Sequence, residues 1–302
     1  MQANRTAGFP LKTFKDAVRK SDFALTAEIF LRPETDANSL RVQADALREY
    51  VDGILLTDNQ YGQLHLSTIA AASILLDHGV DPIVHLTSRN RNRIALISDL
   101  LGSVALGVTS LLLTAGERAA SSMKPRPKPV MDVTAVELIH TASAIKIDEQ
   151  LTVNPDFFVG GLITPVMPKK DWKAKQVRNK ITAGAQFLQT HICMDLDILR
   201  SYCRYLVESK LIQKTSVIGA VAVMESVEDA VWLRENRPNV MLPDDVLERL
   251  ETAADPRQEG ILICSETLRA MSEIPGLVGA KVMAPRDLTT IPAVIRASGL
   301  HD

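Results

Sequence analysis

Residues 24–33 read ALTAEIFLRP, a run of small and apolar residues interrupted by one carboxylate, Glu28. A run of this kind forms a strand buried on both faces, as the strands of a helix-covered parallel sheet are. An ionisable group within it must be neutralised, paired with a cation, or used, because an unpaired buried charge is costly. One outcome is a structural pair with an Arg or Lys of the same sheet. The other is a working acid: a mostly apolar cleft lifts a carboxyl's pKa toward neutrality and leaves it a proton to give.

Similar short runs recur at 53–57, 82–87, 110–114, 157–164, 187–192, 216–223 and 279–284. The segments between them carry helical periodicity near 39–50, 67–78, 91–105, 134–147, 171–183, 196–209, 226–234 with further helix to 271, and 288–298. Eight strand–helix rounds predict an α/β fold, a (β/α)8 TIM-type barrel forming one domain over residues 22–302. An open doubly wound sheet would call for a GxGxxG turn after an early strand, and the sequence has none. Residues 1–21 read as an N-terminal extension with a short helix at 11–19, and 236–260 as a helical insertion before the last strand. The segment 116–130, GERAASSMKPRPKPV, leaves the carboxyl end of the fourth strand, the catalytic face of such a barrel. Its Lys124, Arg126 and Lys128 are candidate phosphate ligands, and Arg89, Arg91 and Arg93 form a second basic cluster at the start of helix 91–105.

With 302 residues, 46% of them hydrophobic, the chain can bury a full core, and a formal charge of −2 argues against nucleic acid or a membrane surface as partner. Cys193, Cys203 and Cys264 are widely spaced with no CxxC pair, which predicts core residues in a reducing compartment and no structural metal site. No apolar run reaches the roughly 20 residues of a membrane span, and the polar, mixed-charge start is not that of a signal peptide. A cytoplasmic location is the expectation.

In a barrel the polar residues at strand ends share one rim, here Glu28, Thr57, Asp58, His85, Thr87, Gly116, Glu117, Thr190 and His191. Five blocks contain or adjoin them: PIVHLTSRNRNRIALISDLLG (82–102), SLLLTAGE (110–117), KPVMDVTAVELI (128–139), NKITAGAQFLQTHICMD (179–195) and IPGLVGAKVMAPRDLTTIPAVIRASGL (274–300). In kind and order these blocks resemble the methylenetetrahydrofolate reductase family.

The resemblance implies a (β/α)8 barrel that reduces 5,10-methylenetetrahydrofolate to 5-methyltetrahydrofolate, with NADH or NADPH as hydride donor and, in most members, through bound FAD. Carried over by motif, Glu28 matches the catalytic acid. Thr57, His85 and Thr87 match the flavin-site segments, and Lys180 matches a basic residue that meets the cofactor's phosphates. Gly116 and Glu117 stand where the family has Gly-Asp, and His191 stands where it has a substrate-facing Gln. The segment 165–170, PVMPKK, lacks the His and acids usual after the fifth strand. The implied partners are the folate substrate and a second copy of the chain. Two alternatives stay open on the same barrel: flavin-independent hydride transfer from a nicotinamide, and a folate-dependent methyltransferase or demethylation component. For the reduction, the substrate's five-membered ring must open to an iminium before it accepts hydride, and opening requires a proton on the departing nitrogen. A Glu28 with raised pKa would supply that proton. Glu34, the nearest other carboxylate, lies past Pro33 in loop.

Overall fold

The eight apolar runs pair in sequence order and the last returns to the first, closing a parallel barrel. In the computed structural model, described over residues 12–145, 155–237 and 239–300, the strands are β1 (Ala24–Ile29), β2 (Gly53–Leu56), β3 (Pro82–Thr87), β4 (Ser110–Thr114), β5 (Phe158–Ile163), β6 (Phe187–Thr190), β7 (Ser216–Ala222) and β8 (Leu277–Met283). The helices are α1 (Phe14–Lys20), α2 (Ala37–Leu47), α3 (Thr68–Asp77), α4 (Arg93–Leu106), α5 (Ala135–Ala144), α6 (Lys175–Thr182), α7 (Leu196–Glu208), α8 (Val227–Asn236), α9 (Asp244–Thr252), α10 (Pro256–Ser272) and α11 (Thr290–Ser298). The predicted barrel is therefore present. The expected helical insertion appears as α9 and the start of α10. The ends of the predicted extension and of helix 134–147 lie outside the described residues.

Closure sets Thr26 of β1 opposite Lys281 of β8, so side chains far apart in sequence become neighbours. Helix starts follow local chemistry. Thr134 and Glu137 form a reciprocal capping box on α5, and Asp195, Ser226 and Asp255 cap α7, α8 and α10. Helix 171–183 begins later than its pattern suggested, because Ala174 takes a left-handed φ of 49° and Trp172 packs on Tyr202 and Tyr205 as a loop anchor.

The amino-terminal end of the barrel is filled by hydrocarbon. Leu55, Ile83, Leu112, Phe158, Phe187 and Ile218 line it, and Phe14 of α1 enters from below. Phe158 and Phe187 stack with centroids 4.9 Å apart, and Phe14 meets them at 5.8 and 5.4 Å. Gly160 makes room for this cluster, since a Cβ there would fall 2.1 Å from the Phe187 ring. Buried Asp81 accepts the Phe14 backbone N–H at 2.8 Å and fixes the helix in place. The described part of the N-terminal segment thus stops the barrel's lower end rather than merely leading into β1. Among the described residues, no helix is long and apolar enough to cross a membrane.

Replacing Phe14 with Ala is expected to cost about 3–5 kcal/mol through lost burial and the cavity left behind. Chemical denaturation checks this as a lower midpoint at an unchanged slope.

Candidate functional site

With its lower end packed, the barrel opens, among the described residues, toward the carboxyl ends of its strands, where ligands of such folds bind. A cavity of about 320 Å3 lies there, floored by Glu28, His85, Gln189 and Lys281 and walled by Thr114 to Glu117, Lys180, Thr190, His191 and Arg237. A second cavity of about 490 Å3 lies on the other side of Glu28 and Arg237, against Phe30, Tyr61, Trp232 and Met283. Both fall within the usual size of small-molecule sites, roughly 300–1,000 Å3.

Glu28 is only 4% exposed and sits between two cations. Its Oε1 accepts from Arg237 Nη2 at 2.7 Å, and its Oε2 accepts from the Lys281 ammonium. Burial alone would raise the carboxyl's pKa, but the two positive charges outweigh it and hold the group down at about 2. The expectation of a raised pKa and a proton ready to give is therefore overturned; Glu28 is ionised. Two cations share this single carboxylate, so the buried cluster carries a surplus positive charge. Desolvation accordingly draws Lys281 below the ordinary lysine value, with the Arg237 charge adding to it and Glu28 opposing. Arginine keeps its proton throughout.

Arg237 arrives from the connection after α8. Its guanidinium lies 5.0 Å from the centroid of the Tyr61 ring, and the Gln60 amide oxygen accepts from it. Tyr61 is itself held edge-on to Phe30 and Trp232, at 5.3 and 5.1 Å. The loop that presents it has Asn59, Tyr61 and Gly62 all in the left-handed region, with Tyr61 at φ 56°. Only glycine fits at 62, because a Cβ there would strike the Arg118 carbonyl oxygen at 2.0 Å. A left-handed non-glycine residue costs on the order of 1–3 kcal/mol and persists where its surroundings over-determine it.

The two histidines on the rim are neutral. His85 shares a 2.8 Å hydrogen bond with Thr114 Oγ1, and burial brings its pKa to about 4. His191 is also brought to about 4, by burial and then by the Lys281, Lys180 and Arg237 charges. Glu117 accepts the Tyr61 backbone N–H at 3.0 Å, and burial raises its carboxyl despite Arg237. The Lys180 ammonium donates to the Leu162 carbonyl, and desolvation lowers its pKa.

Of the residues singled out in the sequence, Glu28, Asp58, His85, Gly116, Glu117, Lys180, Thr190 and His191 meet around this cavity. Thr57 and Thr87 do not line it. Thr57 Oγ1 accepts the Leu31 N–H at 3.0 Å, tying the end of β1 to β2. Thr87 donates to Asp58 from both N–H and Oγ1, at 2.8 and 2.7 Å, and Arg91 closes on the same carboxylate at 2.5 and 3.1 Å. This network claims Asp58 and Arg91 for structure. Arg89 donates to the Gly116 carbonyl at 3.1 Å. Lys124, Arg126 and Lys128 are exposed outside the cavity wall, Arg126 turning back onto the Ala119 carbonyl. Glu34 faces the second cavity. The cysteines are buried, and burial pushes the Cys193 and Cys203 thiols up to about 12.

Sequence reading missed Lys281, Arg237, Gln189 and Tyr61. Lys281 gave the same signal as Glu28, a charge within an apolar strand (LVGAKVM), and barrel closure makes those strands neighbours. Gln189, on β6, lies two residues before His191, which follows the strand, and both line the cavity. Arg237 and Tyr61 sit in irregular connections, where no periodicity marks them.

Fold and site together define a (β/α)8 barrel with a charged, ligand-sized cleft at its carboxyl mouth. The chain belongs to the methylenetetrahydrofolate reductase family, whose model matches residues 13–276. No curated protein matches its sequence. Among solved structures it is similar to a Clostridium thermocellum protein, described as uncharacterized and binding two copies of 5-methyl-5,6,7,8-tetrahydrofolic acid. The TM-score is 0.65 at 14% identity, over 94% of this chain and 97% of that one, a likeness of fold.

Because the folded-state pKa of Glu28 is depressed, its contribution is complete above the ordinary carboxyl value and is lost as pH falls through the folded one. Glu28→Gln, which leaves two buried cations without their counter-charge, is expected to cost about 3–5 kcal/mol near neutrality. The gap to wild type should narrow as pH falls from 4.5 toward about 2, as urea titrations across that range would show.

Proposed function

We propose that the protein reduces the methylene bridge of 5,10-methylenetetrahydrofolate to a methyl group, with NADH or NADPH as the source of hydride. The observation that carries this reading is the ionised Glu28 carboxylate at the floor of a cleft. A cation develops on the substrate when its ring opens, and a fixed, water-poor carboxylate beside it stabilises that charge more than it stabilises the neutral ground state. Family membership and the folate bound by the Clostridium thermocellum protein support the substrate class.

The residues present fit the ring portion of FAD better than its phosphates. His85, Glu117, Lys180 and His191 line the first cavity, and buried Thr190 Oγ1 has no hydrogen-bond partner among the described residues, so an edge of a flat heterocycle finds polar groups there. For the phosphates, Lys180 is the cation that remains, since Arg91 is bound to Asp58 and Asp99. When bound, a flavin would relay hydride from the nicotinamide to the substrate. Lys180 and His191 would orient it, and the apolar wall of Leu112, Leu113 and Leu162 would exclude water.

One observation favours the flavin-independent reading as the second. The two cavities meet at Glu28 and Arg237, so two ligands can approach one carboxylate from opposite sides. A nicotinamide in one and the folate in the other would need no carrier between them.

The test is NAD(P)H consumption by the purified chain with 5,10-methylenetetrahydrofolate, with and without added FAD, alongside its visible spectrum. Turnover with formation of 5-methyltetrahydrofolate is expected, and Glu28→Gln should lower kcat by roughly 10²–10³. No NAD(P)H oxidation under either condition would remove the proposal. A flavin spectrum, or turnover that depends on added FAD, decides between the two routes.

A further inference from the structure

The inner face of β6 rises from Phe187, packed in the hydrocarbon of the lower barrel, to Gln189, the next residue on that face. The register partners of Gln189 are Leu162 on β5 and Ile218 on β7. Packing alone therefore asks for hydrocarbon at this position, and the chain places a primary amide there instead. Gln189 is only 6% exposed, yet its side-chain amide has no hydrogen-bond partner among the described residues and opens onto the first cavity. Buried polar groups are otherwise almost always paired, so the partner of this amide is to be sought outside the chain.

The other polar groups around that cavity are differently placed. Glu28 is held by Lys281 and Arg237, and His85 shares a hydrogen bond with Thr114. Lys180, on the wall, donates to the Leu162 carbonyl. The Tyr61 hydroxyl is buried without a partner, but Tyr61 lines the second cavity. Thr190 Oγ1, one residue beyond Gln189, also lacks a partner and belongs to the first cavity, so two successive residues of β6 offer unused hydrogen-bonding groups there.

A primary amide presents an acceptor oxygen beside a donor nitrogen. Its complement is a cyclic amide, in which a ring N–H stands next to a ring carbonyl and two parallel hydrogen bonds form at once. A carboxylate or phosphate offers acceptors alone and would oppose the Gln189 oxygen, while a plain hydrocarbon ring would leave the amide unpaired. On the folate-reduction reading above, we propose that Gln189 selects the heterocycle by pairing with the cyclic-amide edge of the ring bound on the cavity floor. Two rings of that reading carry such an edge: the pterin of the folate, with N3–H beside its C4 carbonyl, and the isoalloxazine of FAD, with N3–H between two carbonyls. Leu112, Leu113 and Leu162 shield the site from water, which sharpens discrimination against a ring that lacks the edge.

The experiment uses the full chain as wild type and as Gln189→Leu, titrated separately with 5-methyltetrahydrofolate and with FAD in a calorimeter. Leucine supplies the hydrocarbon that the neighbouring strands have at this level and breaks no hydrogen bond among the described residues. The ligand-free variant should therefore unfold at a urea midpoint equal to or above that of wild type. Affinity for the ring that lies on the floor should fall about 10-fold or more, the effect of two lost hydrogen bonds. A loss confined to 5-methyltetrahydrofolate assigns the edge to the pterin, a loss confined to FAD assigns it to the isoalloxazine, and a loss for both means that the two rings alternate in one place. Gln189→Met repeats the comparison should leucine not be accommodated. The assignment is overturned if a folded variant binds both ligands within about threefold of wild type, or if both variants unfold at lower urea than wild type, which would make the amide part of the fold. A wild type that binds neither ligand and consumes no NAD(P)H removes the folate reading itself, and this assignment with it.

Discussion

A carboxylate buried between two cations is the constraint on which the upper half of this barrel depends. Glu28, Lys281 and Arg237 join the first strand, the last strand and the connection after α8, three parts of the chain brought together only by closure. Such a cluster is weak evidence for stability, because desolvating the charges offsets much of their attraction. Its consequence here is chemical. The ion pairs keep Glu28 negative where an apolar cleft alone would have made it neutral, and desolvation together with the Arg237 charge draws Lys281 below the ordinary lysine value while Glu28 opposes the shift.

The two ends of the barrel divide the work. Below, three phenylalanines and the aliphatic side chains around them fill the interior, with α1 as the stopper. Above, the same strands end in carboxylate, ammonium, imidazole and amide groups around a cleft. A rigid hydrocarbon floor matters to the polar layer, since preorganised charges act strongly only where they cannot relax. Arg237 then partitions the mouth, braced against the Tyr61 ring by a loop whose backbone is left-handed at three positions. The conformational cost of that loop is borne where two cavities adjoin.

The basic residues that stood out in the sequence are mostly employed elsewhere. Arg91 is bound to Asp58 and Asp99, Arg89 holds the Gly116 carbonyl, and the cations of the long loop after β4 face solvent. Thr57 and Thr87 likewise stitch strand ends together. What remains at the cleft is a polar set in which Lys281 and Arg237 are paired with Glu28, while Lys180 donates to the Leu162 carbonyl.

The sequence by itself determined the barrel, because alternating apolar runs and helical periods are local patterns that need no knowledge of the partner strand. It also determined that Glu28, His85 and His191 come to the carboxyl rim, since topology sends every strand's carboxyl end there, whereas Lys180, on α6, was marked by its motif alone. Only the tertiary structure decided their charge states. Glu28 appeared to be a solitary carboxylate in an apolar strand; Lys281 lies 253 residues away and Arg237 lies in an irregular connection, and both reach it only when the barrel closes. A pKa depends on the charges within a few ångströms and on the water excluded around them, and neither quantity is written along the chain.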